Sequence, residues 1–382
     1  MFRPRPKQEQ VLAYRGGRMG VSAVPGSGKT TTLSMLAADL ISGGYLGDHQ
    51  EVLIVTLVNS AVDHFSARVS NFIRMRGLLP NVGYRVRTLH GLAHDIVRER
   101  PDLAGVSENF EIADALTAER IMRSASDRWA NEHPEILESY LKIDLSENDH
   151  QKIRRRDWPS LVRTIADAFI QQCKDYRISP AELDAALGSS TRDWPLLAMG
   201  KSVYEEYEKA LTIRGLLDFN DLIVRALHAL ETDPLFLQNL QERWPYILED
   251  EAQDSSRLQE RILRTLVGVD GNWVRVGDSN QAIFETFTTA SPEFLRTFLR
   301  EEGVLAETLP NSGRSTSSII DIANQLIKWA ETEHPEPALR GALRKPYIQP
   351  APPGDPQPNP TDQPDEIHLV DTAYTAEEEI NA

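Results

Sequence analysis

Cysteine is nearly absent from this 382-residue chain: Cys173 stands alone. That excludes an intramolecular disulfide framework and any zinc site built on several thiolates. Long apolar runs are missing too. No stretch approaches the roughly 20 residues that a membrane span needs, and Met1 to Arg18 carries no apolar core of signal-peptide length. The expectation is a cytoplasmic protein without a membrane partner. Internal repeats, and with them solenoid architectures, are also lacking. Positive charge is scarce, with 41 Lys and Arg against 57 Asp and Glu, a net charge of −16.

That deficit is uneven. Residues 331–382 hold 11 acidic and 3 basic residues, whereas residues 67–100 hold seven arginines against Asp95 and Glu99. Local charge decides whether phosphates are attracted, so the arginine-rich stretch is either a solvated helical face or a polyanion contact. Hydrophobic content of 41% and charged content of 26% are those of a globular protein.

What the sequence does contain is a phosphate-binding loop, Ala23-Val24-Pro25-Gly26-Ser27-Gly28-Lys29-Thr30, with Ala23 in the place of the usual first glycine. An apolar stretch precedes it and a helical run from Thr31 follows. In that context the glycines let successive backbone N–H groups converge on an anion at a helix N-terminus. Lys29 then reaches the β- and γ-phosphates, and the Thr30 hydroxyl ligates Mg²⁺. The second half of such a site is a carboxylate pair at a strand end. Tyr246-Ile247-Leu248-Glu249 runs into Asp250 and Glu251. Asp250 is the candidate for holding Mg²⁺, directly or through water, and Glu251 for orienting and deprotonating an attacking water.

Short apolar runs alternate with helical segments, which predicts α/β layers around a parallel sheet. Candidate strands are Val21–Val24, Val52–Thr56, Tyr84–Thr88, Tyr246–Glu249 and Trp273–Val276. From about Glu99 to Arg214 the periodicity is helical throughout, with Trp158-Pro159-Ser160 as a helix start and a small basic cluster at Lys152 to Arg156. A third section begins near Leu305. It contains an amphipathic helix over Ser317 to Trp329, with Ile319, Ile320, Ile322, Ala323 and Leu326 on one side. Eight prolines within 346–364 follow, expected as an extended linker or long loop. A short strand over Glu366 to Val370 and a helix starting at Ala376 complete the expectation.

The segment Asp250-Glu251-Ala252-Gln253-Asp254 with Gln259 resembles motif II of the UvrD/Rep/PcrA-type superfamily 1 DNA helicases. Further segments match that family in order. Gln8 lies 21 residues before Lys29; Val55 to Ala61 is similar to motif Ia, and Arg87 to Gly91 to motif Ib. Leu217 to Leu222 resembles the segment that returns from an inserted helical domain. Val276 to Phe284 is similar to motif III, and Asn311 to Thr316 to motif IV.

The resemblance implies an ATP-driven motor that tracks single-stranded DNA and opens single/double-strand junctions, 3′ to 5′. It implies a RecA-like domain in two parts, 1–98 and 215–304, with a helical domain inserted at 99–214. An incomplete second RecA-like domain would occupy 305–382, and motifs V and VI would lie beyond Ala382. Gln8 would read adenine, with residues 23–31 around the phosphates, Gln281 sensing the γ-phosphate and Arg314 acting as an arginine finger from the neighbouring domain. Thr56, Asn59, Thr88, His90, Phe284 and Phe287 would touch DNA. The alternatives are a nucleotide-regulated DNA-binding subunit without motor activity and, for single residues, a surface role for Gln8 and a helix-cap role for His90.

The chain also departs from the family pattern. The arginine and tyrosine that usually sandwich adenine are replaced by Thr31 and Gly313, and the motif III tryptophan by Thr286. Losing both platforms, worth about 1–3 kcal/mol by analogy with base stacking, predicts weak discrimination among nucleoside triphosphates.

Overall fold

The computed structural model describes residues 3–141, 146–187, 194–282, 289–368 and 375. Its centre is a six-stranded, all-parallel sheet. Across it the strands run Tyr84–Thr88, Val52–Thr56, Tyr246–Glu249, Asn272–Gly277, Arg18–Ala23 and Val304–Leu309. The two middle-left strands are continuous apolar runs buried on both faces, as parallel sheets require. Successive side chains serve opposite layers. Leu53 and Val55 pack on one face with the helices Leu89–Glu99, Phe219–Thr232 and Arg257–Val267. Val52 and Ile54 pack on the other with the helices Lys29–Ser42 and Asn59–Met75.

A third, separate core is helical. Helices Ala115–Glu132, Trp158–Asp175 and Pro195–Arg214 enclose Trp129, Trp158, Val162, Met199 and Tyr207. Only a two-residue parallel pair, Glu111–Ile112 with Leu216–Leu217, interrupts the helical character of this region among the described residues. The basic cluster Ile153–Asp157 is a π-helical turn leading into Trp158–Asp175.

One buried cation ties the two parts together. Lys174, 3% exposed, donates to Asp218 at 2.5 Å and Asp221 at 2.8 Å and pairs with Glu208 at 2.7 Å. Asp218 and Asp221 also form the capping box of Phe219–Thr232, so they are structural acids. Three clustered carboxylates resemble a cation site; here the Lys174 ammonium already fills that role.

Several expectations meet the structure differently. The strand expected at Val21–Val24 starts earlier, at Arg18, and ends at Ala23. The boundary drawn at 305 falls inside the strand Val304–Leu309, which pairs in parallel with Arg18–Ala23 and is an edge of the first sheet. Its exposed, partly polar face hid it from pattern reading. Of the two forms expected for the proline-rich stretch, extended linker or long loop, the structure has the loop: Gln349–Pro350 pairs with Asn311–Ser312, and the residues beyond it are bonded to the body at several points.

The helix Ser317–Thr332 forms as expected, but Ile319, Ile322, Leu326 and Trp329 on it are exposed. Glu366 ends a 3-10 turn, Pro364–Glu366, rather than starting a strand. Val370 and the helix expected from Ala376 lie outside the described residues. No described helix is long and apolar enough to cross a membrane.

Candidate nucleotide and nucleic-acid site

The phosphate loop forms where the sequence places it, between the strand Arg18–Ala23 and the helix Lys29–Ser42. Gly26 and Gly28 both take positive φ, 73° and 82°, a conformation that side chains disfavour. Gly28 is the N-cap of the helix. The loop therefore presents an open helix N-terminus toward the carboxyl edge of the sheet, where open α/β sheets bind ligands.

Two strands away, the backbone N–H of Asp250 donates to the Val55 carbonyl at 2.9 Å, extending the sheet to the acid pair. Glu251 sits in the left-handed region at φ 55°, uncommon for a non-glycine residue and a form of strain that clusters at functional sites. These turns bring loop and acids together. Lys29 Nζ donates to Glu251 at 2.9 Å, and the Thr30 hydroxyl donates to Asp250 at 3.1 Å.

The crevice is rich in acid. Burial first, then the neighbouring Glu251, push the Asp250 carboxyl up to about 6. The same two causes raise Asp254 to about 6, and burial raises Asp278. One buried oxygen each of Asp254 and Asp278 has no hydrogen-bond partner among the described residues. Four carboxylates around one ammonium leave uncompensated negative charge. A hydroxyl beside carboxylates is a hard oxygen donor set, the chemistry that suits Mg²⁺.

Gln253, to which its motif alone assigned no separate role, joins the two strand ends. Its Nε2 donates to Glu251 at 2.9 Å and to Asp254 at 3.0 Å, while its Oε1 accepts from the Asp278 N–H at 2.9 Å. Beneath it, Arg275 is fully buried and pairs with Glu249 at 2.8 Å and Glu260 at 3.0 Å. A sequence pattern cannot flag Arg275, because a charge inside an apolar strand gains meaning only from its partners across the sheet.

Gln8 is buried rather than superficial. Its Oε1 accepts from Arg5 N at 2.8 Å and its Nε2 donates to the Ser27 carbonyl at 2.9 Å, so it braces the loop. Thr31 accepts from Arg68, on the helix Asn59–Met75, at 3.0 Å. Arg314 is exposed and follows closely on the sheet's edge strand Val304–Leu309. A Cβ built on Gly26 would lie 2.6 Å from Arg314 Cβ, so this residue adjoins the loop directly. Gln281 is exposed, and its backbone N–H donates to the Asp278 carbonyl at 2.9 Å.

The expected DNA contacts fare unevenly. Thr56 is buried at the end of its strand. Thr88, also buried, is the N-cap of Leu89–Glu99 and accepts from the Gly91 N–H, so the capping role considered for His90 belongs to Thr88. His90 packs edge-on against Phe219 at 5.3 Å, and burial lowers its pKa against the pull of Asp218. Asn59 is exposed at the first position of its helix. Phe284, Thr286 and Phe287 lie outside the described residues. Of the seven arginines in 67–100, Arg76, Arg85, Arg87 and Arg100 are engaged by Asp39, Glu51, Asp95 and Asp102. Ion pairing thus consumes much of the local positive charge.

The family model for the UvrD/REP helicase N-terminal domain matches residues 5–302. The ATP-dependent DNA helicase UvrD2 of Mycobacterium tuberculosis is 30% identical over 331 residues, covering 85% of this chain and 43% of the relative. DNA helicase II of Haemophilus influenzae is 25% identical over 341 residues, covering 87% and 42%. DNA helicase II of Escherichia coli is 28% identical over 323 residues, covering 84% and 40%. The chain thus spans about two-fifths of the length of these relatives.

Proposed function

The chain belongs to the UvrD/REP helicase family, and on that premise we propose that it is the nucleotide-binding portion of an ATP-dependent DNA translocase. ATP with Mg²⁺ lies between the phosphate loop and the acid pair. The observation that carries this reading is the meeting of Lys29 with Glu251 and of Thr30 with Asp250, residues some 220 positions apart in the chain. Thr30 and Asp250 would hold the ion, which supplies charge neutralisation at the transferred phosphoryl group. Lys29 leaves Glu251 for the phosphates, which frees that carboxylate to orient water. A space of about 30 Å³ lined by Thr56, His90, Asp250, Glu251 and Gln259 is sized for about one water beside the acids.

Gln281 then senses the γ-phosphate, and Arg314 stabilises charge developing on it. Residues 1–98 and 215–309 make one RecA-like unit that includes the edge strand Val304–Leu309, 99–214 its helical insertion, and the residues beyond the edge strand begin a second unit. Movement is along single-stranded DNA, 3′ to 5′, past Asn59, His90, Phe284 and Phe287. The buried threonines and paired arginines favour a second reading, a nucleotide-regulated DNA-binding subunit. ATP hydrolysis with and without single-stranded DNA separates the two. Turnover that rises with DNA and is lost in Glu251→Gln supports the motor. Nucleotide-dependent DNA binding without turnover supports the subunit, and no nucleotide binding contradicts both.

A further inference from the structure

The proline-rich segment plays no part in the reading above, yet it is built onto the phosphate loop. Arg5 clamps Asp355 through two bonds, Nε to Oδ2 at 2.6 Å and Nη2 to Oδ1 at 3.3 Å. Both side chains are more than nine-tenths buried, at 9% and 5% exposure. Arg5 also donates to the Asn311 carbonyl at 2.8 Å, and Asp355 accepts from the Gln357 N–H at 2.8 Å. Farther along, Asn359 donates to the carbonyls of Ser312 and Ser315 at 2.7 and 2.8 Å, and Asp362 accepts from Ser318 N and Oγ at 3.0 and 2.6 Å. Prolines offer no N–H for a ladder, so the strap's own Asp355, Asn359 and Asp362, bonded to Arg5 and to residues 312–318, hold it in place.

Between strap and loop lies a cavity of about 310 Å³. Gln8, Ser27, Gly28 and Thr31 line one side, and Pro356 and Gln357 the other. Ligand pockets start at about this volume. The Ser27 hydroxyl is buried and has no partner among the described residues. Gln8 keeps one donor and one acceptor position spare after its two internal bonds. A triphosphate held by Lys29 and Thr30 leaves its base beside Gly28 and Thr31, at this cavity.

Gly313 accounts for the strap's position. A Cβ there would lie 2.3 Å from the Gln357 carbonyl oxygen and 2.8 Å from Arg5 Nη2. A side chain at 313 and the strap therefore exclude each other. We infer that the strap segment 355–357 is the wall against which the base of a bound nucleoside triphosphate packs. It stands in for the platforms missing at Thr31 and Gly313. Pro356 supplies the apolar face and Gln8 the polar edge, which suits a purine. The inference rests on the nucleotide reading above and reverses the expectation of weak base discrimination.

The test is calorimetric titration of the full chain with Mg²⁺ and, in turn, ATP, CTP and inorganic tripolyphosphate. Two variants move the strap independently, Asp355→Ala by releasing the clamp and Gly313→Ala by steric displacement. Wild type should bind ATP more tightly than CTP and tripolyphosphate. Both variants should lose about 5- to 150-fold in ATP affinity, the range of a stacking contact, and keep wild-type affinity for tripolyphosphate, which also reports that they fold. Wild-type ATP affinity in both variants overturns the strap's role while leaving the phosphate site standing. Wild type that binds neither ATP nor tripolyphosphate overturns the phosphate site, and this inference with it.

Discussion

Replacing Lys174 with Met tests whether one buried cation holds the helical insertion on the sheet. The ammonium lies 2.5–2.8 Å from Asp218, Glu208 and Asp221 and 5.2 Å from the Tyr207 ring. Methionine fills similar space but leaves three carboxylates with no counter-ion. Breaking a buried ion pair by removing one partner costs about 3–5 kcal/mol. At about 2–4 °C per kcal/mol for a unit of 150–250 residues, the melting temperature should fall by roughly 6–20 °C.

The pH dependence adds a second check. Burial alone raises both aspartates; the ammonium pulls Asp218 below its usual range, whereas Asp221 stays raised at about 6. Without the ammonium, burial pushes both aspartates above their unfolded values. Such groups bind protons more readily folded than unfolded, so the variant gains stability as pH falls through their raised values. Differential scanning calorimetry between pH 8 and 5 should show the gap to wild type narrowing on acidification. A variant that melts with wild type at pH 8, or a gap that widens at lower pH, refutes the reasoning.

Other outcomes follow from the same structure. The Asp355 carboxyl is held below its usual range, chiefly by its hydrogen bond to Arg5. A lowered pKa contributes stability above the unfolded value and loses it as pH falls through the folded one. The melting difference between wild type and Asp355→Ala should therefore hold from pH 8 to 5 and shrink progressively as pH falls below about 4. Gly26→Ala places a Cβ 2.5 Å from Ser312 Oγ and 2.6 Å from Arg314 Cβ, at φ 73°. Left-handed backbone and overpacking together should cost about 2–5 kcal/mol, read as a lower melting temperature with weakened nucleotide binding. An unchanged melt counts against the close packing of Ser312 to Arg314 on the loop.

The strands Val52–Thr56, Tyr84–Thr88 and Tyr246–Glu249 were legible to the residue, because short apolar runs ending in polar residues have few other solutions in an α/β chain. The loop glycines and the acid pair were legible because their chemistry is local. The edge strand Val304–Leu309 escaped notice since one face meets solvent and its composition is mixed. Proline content correctly argued against helix and sheet ladder through most of 346–364. It said nothing about Arg5, 350 positions away, whose pairing with Asp355 orders the segment. Periodicity likewise identified the helix Ser317–Thr332 but not what its apolar face meets. The arginine count in 67–100 left a solvated face and a polyanion contact open for the same reason: partners such as Asp39 and Glu51 come from other elements.

The central claim is that one metal-bound triphosphate bridges Lys29 and the acids at 250 and 251. Titrating ATP into wild type and into Lys29→Met, each with Mg²⁺ and with EDTA, tests it most directly. The account predicts saturable binding to wild type that weakens at least about tenfold when EDTA removes the metal or methionine replaces the ammonium, the size of one charge-assisted contact. Equal ATP affinity in all four titrations would contradict it.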